Sequence, residues 1–405
     1  NGQPLVTGTN QFSLKAVDSP TDPQRTVVGY VDAAGNDVAL DEDLITGGTL
    51  GGLTQFRAET LDKTQNQIGQ LAVSFGIGVN QQQSLGLDLN GEAGEDLFKV
   101  GDPRAFGRDG NSADNLIKNV SFDGKNIGQL RAADYEVRVD SNDPSTYSEF
   151  TVTRTNTGEP VGNVAWDDTK KELSFNGITL EFNNPTNLSK DDQFDVQPVR
   201  RGARGIESAI ADGDKIAAAS RIEASGTMDI ALQAVEQSPV LDNGAYELSL
   251  DKDGNLTFAE PNLVPAGVTI ERNGTVITGT QLNAPPPNGV AVSAGDQLVV
   301  DGLRFTIGSL PDSDPGTTLT LEQADATSGD NRNALKLQSL QERDAVGGSA
   351  TFSGAYASIV SDVGNRTNIT QVNLDAQQGL TEQLEEVQQS QSGVNLDEEA
   401  ANLIR

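Results

Sequence analysis

Two stretches of this chain set oxygen ligands close together. Asp88-x-Asn90-Gly91 and Asp251-x-Asp253-Gly254-Asn255 begin as a calcium loop begins. A twelve-residue EF-hand loop also needs glycine at position six and glutamate at position twelve. Position six holds Ala93 or Leu256, and position twelve holds Lys99 or Asn262. Turn chemistry, in which an Asp side chain accepts from the amides just after it, accounts for both. Carboxylates are abundant enough to supply a pair for glycoside hydrolysis, but no local feature singles one out. A phosphate-cradling Gly-x4-Gly-Lys-[Ser/Thr] is absent, as is a dinucleotide fingerprint after a strand. The chain has no His and no Cys, so Ser-His-Asp, Cys-His, His-Glu-x-x-His and Cys-zinc sites cannot be built within it. Arg200-Arg201-Gly202-Ala203-Arg204 is the only basic cluster. Such a run either meets an anionic partner or is a solvated loop, and the loop is the commoner case. Trp166 and the five Tyr lack the interleaved basic residues of a nucleic-acid platform and read as sparse core anchors. The expectation is therefore a protein that is not an enzyme, with no catalytic residue, no metal and no cofactor.

Charge narrows the partners. With 59 acidic and 28 basic residues the net charge is −31. Such a chain repels phosphate backbones, so nucleic acid is not an expected partner. No apolar run approaches the length that spans a bilayer, and no signal peptide is visible, so no membrane partner is expected. At 405 residues, 5% aromatic and 43 glycines, the composition suits two to four domains made of small β units and polar helices.

The elements that must carry any function are helical near both ends. Leu50, Leu53, Leu61, Ile68, Leu71, Phe75 and Val79 recur at three-, four- and seven-residue spacings, with a gap near Thr64, and predict a long helix over 49–83. Its apolar stripe is narrow, like a coiled-coil seam, and Gly69, Gly76 and Gly78 permit close approach of another helix. Asp330 is placed to cap a helix running to about Ala345. A second long helix is predicted over 351–390. Phe352, Tyr356, Ile359 and Val363 form one seam, continued after a phase shift near Arg366 by Ile369, Val372, Ala376, Leu380, Leu384 and Val387. The phase shift favours packing against one or two partner helices over a simple dimeric coil, and helix 49–83 is the natural partner within the chain.

Between the helices the period changes to two. Residues 1–46 read as a small hairpin layer with a strand at Thr26–Val31. Glu172–Phe182 alternates apolar and polar residues around Asn176-Gly177, a type I′ hairpin signal. Tyr135–Val139 and Phe150–Thr153 face the same core. Turns at Asp253-Gly254, Asn273-Gly274 and Asp301-Gly302 predict a second β domain, with Pro285-Pro286-Pro287 a stiff loop in it. The boundaries read as 1–84 (hairpin layer and helix), 85–202 (first β domain), 203–237 (connector with short helices), 238–325 (second β domain) and 326–405 (returning helices). The expected fold is multidomain α+β: long packed helices forming a rod-like domain, with two all-β domains inserted.

The last residues carry the most specific signal. Asn395 is a good N-cap with Glu398 three residues on, and Asp397, Glu398 and Glu399 favour the first turn of a helix. That helix has a start and no stop, so the chain reads as part of a longer protein. Ser392-Gly393-Val394-Asn395-Leu396-Asp397-Glu398-Glu399-Ala400 resembles the C-terminal signature of flagellar axial proteins, in the form found in the hook-associated protein 1 family. Gly47-Gly48-Thr49-Leu50-Gly51-Gly52-Leu53, Asp88-Leu89-Asn90-Gly91-Glu92-Ala93-Gly94-Glu95-Asp96-Leu97-Phe98 and Gly329-Asp330-Asn331-Arg332-Asn333-Ala334-Leu335 resemble that family in the same order. The family's N-terminal helical half is absent and its final helix is cut at Arg405.

The resemblance implies a structural component of the bacterial flagellum, a junction adaptor between hook and filament that acts by subunit packing. It implies extracellular placement after export through the flagellar type III pathway. The implied partners are the hook protein, hook-associated protein 3, and further copies of itself in a ring. Without the terminal helices of both ends this chain alone is expected to be a monomer. Leu61, Ile68, Phe75, Ile359, Val363, Leu380 and Leu384 are the positions expected to carry helix packing or assembly. The alternative is a secreted β-domain adhesin binding glycans or host proteins, for which Tyr246, Phe258 and Phe305 would have to line a groove.

Overall fold

The computed structural model describes residues 6–7, 10–20, 22, 25–32, 34–40, 42–45, 47–142, 146, 149–183, 187–235, 245–258, 268–272, 275–278, 291–300, 303–313, 315–323 and 330–392. The fold is α+β, with helices near both ends of the chain and antiparallel sheets between them.

The first long helix runs as α1 (Gly48–Phe56), a π-helical turn (Arg57–Asp62) and α2 (Lys63–Ser84), with right-handed helical backbone across both joins. The predicted helix is present, and the π turn ends just before the gap in its apolar stripe. The buried face of α2 holds Asn66, Gly69, Val73, Ser74, Gly76, Val79, Gln82 and Gln83. Most of these are small or amide side chains. A Cβ on Gly69 would overlap the Val199 carbonyl, and one on Gly76 would press on Val100 and Ile206. Glycine is therefore what lets α2 lie on the backbone around α3 (Gly202–Gly205).

Toward the other end come α4 (Arg332–Ser339), a 3₁₀ turn at Leu340–Glu342, and α5 (Phe352–Ser392). The helix expected from Asp330 to about Ala345 is shorter: Asn331 holds the N-cap position, and Arg343 turns extended. The first turns of α5 pack on α2. Phe352 meets Phe75 edge-on with ring centroids 5.5 Å apart, and Lys63 pairs with Asp362 at 2.8 Å. Past Arg366 the helix is exposed through Ser390.

Two pairs of sheets lie between. In the first, Phe150–Arg154, Tyr135–Val139, Gln193–Gln197 and Arg104–Gly107 form one antiparallel sheet. Ala165–Asp167, Glu172–Phe175, Ile178–Phe182 and Ile117–Phe122 form the other. Alternate residues Tyr135, Val137 and Val139 face Leu173, Phe175, Ile178, Leu180 and Phe182 in one core, as period-two patterning requires. Asn176 and Gly177 both have positive φ, 45° and 75°, so the two-residue hairpin is of the I′ kind its sequence predicts. Trp166 packs on Phe150 at 5.1 Å, an anchor at the edge of this core.

In the second pair, Ile222–Gly226, Thr317–Gln323, Ala245–Leu250 and Leu256–Phe258 form a four-stranded sheet. Ile230–Val235, Leu303–Ile307, Gln297–Val300, Val268–Arg272 and Thr275–Thr278 form a five-stranded one. Two strands of this pair, Ile222–Gly226 in one sheet and Ile230–Val235 in the other, fall inside the stretch expected to be a connector. Ile222-x-Ala224 and Ile230-x-Leu232-x-Ala234 alternate, but alanine and glycine hide the period. Of the expected short helices there, Gly213–Lys215 is a 3₁₀ turn, while Ala219–Ser220 is extended and pairs with Gly86–Leu87. The turns at Asn273-Gly274 and Asp301-Gly302, the Pro285–Pro287 loop and the C-terminal signature from Gly393 lie outside the described residues.

Candidate assembly surface

The two loops that begin like calcium loops are held as Asx turns. Asp88 Oδ1 accepts from the amides of Asn90 at 2.8 Å and Glu92 at 2.9 Å. Asp251 Oδ1 accepts from the amides of Asp253 and Asn255 at 2.9 and 2.8 Å. Those carboxylates hold turns. Among the described residues no group of three acidic side chains is arranged to hold a metal ion. Tyr246, Phe258 and Phe305 are all in the core of the second sheet pair, so the groove that an adhesin reading places on them does not form.

Two arginines of the basic run are used within the chain, and Arg204 is exposed. Arg200 pairs with Asp134 and lies 3.5 Å from Asp62, and Arg201 lies 3.6 Å from Asp22. Asn66 donates to Asp134 at 3.0 Å, and Gln197 donates to Asp22 at 3.2 Å. Arg25 reaches Asp62 at 2.9 Å and Glu42 at 2.6 Å, while Arg57 holds Glu42 at 2.9 Å and the Thr26 carbonyl at 3.0 Å. One ionic chain thus ties the three-stranded sheet (Leu14–Asp18, Thr26–Val31, Asp37–Ala39) to the long helix and to the first sheet pair. Burial alone would lower the Arg25 guanidinium, but Asp62 and Glu42 outweigh it and raise it. Burial pushes the Asp134 carboxyl up, against Arg200 and Asn66, which pull it down. These residues are far apart in sequence, so no local pattern announces them.

A second polar tie joins the two ends of the chain. Gln82 donates to Asn333 at 2.7 Å, and Asn333 donates to the Ala217 carbonyl at 2.6 Å, all buried. Asp330 accepts from the Ser220 amide at 3.1 Å and grips Arg332. Hydrogen bonds from the Arg332 side chain, helped by the Arg332 and Ser220 amides and opposed by burial, draw its carboxyl down to about 2. A lowered carboxylate stabilises the fold above the ordinary range and loses that contribution as pH falls through its folded value. Asp330→Asn should therefore flatten the acid dependence of unfolding between about pH 4 and pH 2, measured by circular dichroism across that range. Unchanged acid dependence in the variant would refute the assignment.

With small and polar residues turned inward, the apolar stripe faces out. Leu61, Ile68 and Phe75 stand 42%, 42% and 39% exposed at seven-residue spacing, and Leu380 and Leu384 on α5 are 57% and 60% exposed. Ile359, on the first turns of α5, is buried at 7%, and Val363 is half-buried. The seven positions therefore divide: Ile359 and Val363 turn inward, Leu61, Ile68 and Phe75 are partly exposed with Phe75 also packed on Phe98 and Phe352, and Leu380 and Leu384 are mostly exposed. Ile68, Leu71, Phe75, Phe98, Ile206 and Phe352 line an open apolar groove of about 510 Å³ beside α2. No described helix is long and apolar enough to cross a membrane.

Helices from near both ends that meet through Phe75–Phe352, Lys63–Asp362 and the Gln82–Asn333 amides, with sheets strung between them and an apolar row left partly exposed, define an α+β scaffold. A family model for the helical domain of flagellar hook-associated protein FlgK matches residues 1–98. The chain is 30% identical to flagellar hook-associated protein 1 of Salmonella typhimurium, the match covering 100% of this chain and 54% of that protein. It is 29% identical to its Escherichia coli counterpart, covering 100% and 53%. The structure of the flagellar hook junction protein FlgK from Burkholderia pseudomallei superposes with a TM-score of 0.68 at 30% identity, over 96% of this chain and 72% of that one. The chain belongs to the flagellar hook-associated protein 1 family. It spans about half the length of the curated relatives it matches.

Proposed function

We propose that this chain serves as a structural part of the flagellar hook–filament junction and works by subunit packing, without chemistry on a substrate. The observation that carries the reading is the outward apolar stripe on a helix whose inner face is already satisfied by glycines and amides. Exposed apolar rows of this kind are covered by another protein surface more readily than by water. The contacts of Phe352 and Asp362 with α2, and of Arg366 with Glu59 in the π turn, support a rod made of the helices near both ends, with the two sheet pairs projecting from it as separate β domains. On this reading the second β domain begins near Ile222. The partners would be the hook protein, hook-associated protein 3 and neighbouring copies in a ring. The protein would work outside the cell after export through the flagellar pathway, and this chain alone would be monomeric.

The test restores the complete protein in a strain that lacks it. Replacing Leu61, Ile68 and Phe75 together with serine should abolish attachment of filaments to hooks, seen by electron microscopy and as loss of swimming. Phe75 also packs on Phe98 and Phe352, so the Leu61→Ser, Ile68→Ser double variant, which spares those ring contacts, should fail to attach filaments in the same way while keeping its circular dichroism spectrum. Normal filaments on the triple variant would overturn the assignment of the stripe.

A further inference from the structure

The π-helical turn Arg57–Asp62 interrupts an otherwise α-helical rod, and nothing in the junction role requires it. A π turn carries an extra residue, and such turns mark hinges and functional sites when they occur inside long helices. Here the turn is where the charges converge. Arg57 holds Glu42 at 2.9 Å, Asp62 holds Arg25 at 2.9 Å and lies 3.5 Å from Arg200, and Glu59 lies 3.9 Å from Arg366. Those partners come from four places: the segment before the 3₁₀ turn Glu42–Leu44 and that turn itself, the edge of the first sheet pair, and α5. No residue of the π turn is buried, and the buried residues of α1 are Gly51 and Thr54. The large side chains of α1, Leu50, Leu53 and Phe56, are all exposed. Apolar packing therefore does little to fix the rotation of α1 about its own axis; the ion pairs do.

We propose that the π turn and its ion pairs form a two-position joint, in which charge holds one rotational register of α1 on α2 and loss of that grip lets the turn relax to α. Absorbing one residue would rotate α1 by about 100°, from 3.6 residues per turn. That rotation would carry Arg57 away from Glu42 and re-aim the exposed row Leu50, Leu53 and Phe56. The joint is a property of this chain and holds whether or not the protein works at a flagellar junction.

The chain lacks cysteine, so spin labels can be placed without background. Nitroxides at Gln55→Cys on α1 and Lys170→Cys on the first sheet pair report the rotation by double electron–electron resonance. The parent should give one distance. Deleting Ala58, an exposed residue inside the π turn, should move that distance to a new value. Glu42→Gln and Asp62→Asn should each populate the new distance alongside the old one, with the melting of the sheet pairs unchanged. If Asp62→Asn does not fold, Glu42→Gln, which loosens Arg57 while Asp62 keeps Arg25, decides alone. A deletion variant that keeps the parent distance, or charge variants that keep the single parent distance, would overturn the joint.

Discussion

Arg200→Ala should destabilise the chain by about 3–5 kcal/mol, the usual consequence of leaving one member of a buried ion pair without its partner. Asp134 is 7% exposed and is held by Arg200 and by Asn66 at 3.0 Å. Removing the guanidinium strands a carboxylate that burial already pushes above its ordinary value. The sign of the pH dependence follows. A raised carboxyl favours the fold most when neutral, so its contribution is fullest below the ordinary carboxylate range and is lost as pH rises through the folded value. The deficit of Arg200→Ala should therefore shrink on acidification, where a neutral Asp134 needs no counter-ion. Asp134→Asn should cost far less than Arg200→Ala at pH 7, because Arg200 keeps Asp62 at 3.5 Å. Guanidinium unfolding of both single variants and the double variant at pH 7 and pH 4.5 measures each of these. Equal losses for both single variants at both pH values would show that Asp134 is not the stranded charge.

Two glycines on one helix should respond in opposite directions. Gly78 has nothing within 4 Å of where a Cβ would stand, so Gly78→Ala should stabilise α2 by about 0.5–1 kcal/mol through helix propensity. Gly69→Ala gains the same propensity but drives a methyl into the Val199 carbonyl. Backbone cannot rotate aside as a side chain can, so the helix must lift off the Val199–Gly202 segment. The net loss should be about 1–3 kcal/mol or more. Gly202 meets Gly69 and Val73 from the other side, so Gly202→Ala should repeat the effect. Thermal unfolding of the three variants is the measurement, and a stabilised Gly69→Ala would mean that α2 does not lie against that backbone.

These contrasts show what was legible in the residues and what was not. The long helix could be read from its stripe, and the I′ hairpin from Asn176-Gly177, because both signals lie within a few residues. The permissive role of Gly69 and Gly76 was also visible, though the approaching surface proved to be the Val100 and Val199–Ile206 segments, with the four-residue α3 among them, and not a second long helix. The strands Ile222–Gly226 and Ile230–Val235 were hidden by alanine, which serves either period. The ionic chain was invisible in principle: Arg25 and Asp62 are 37 positions apart, Asn66 and Asp134 are 68 apart, and carboxylates are too common for any one to stand out. The same ignorance made Arg200 and Arg201 look like solvent-facing or partner-facing charges when they are internal. Among the seven positions chosen for packing or assembly, spacing alone did not separate Ile359 from Leu380, since both lie on the apolar face of one helix and only the reach of α2 divides them.

A helix whose leucines look away from its own core keeps two sets of instructions on opposite sides. Alterations on the glycine-and-amide side should be read out as misfolding and proteolysis of the subunit. Alterations on the leucine side should yield abundant, soluble, well-folded subunits that fail only when asked to join others. Genetic lesions along α2 should accordingly fall into two groups with little overlap, alternating with the turn of the helix.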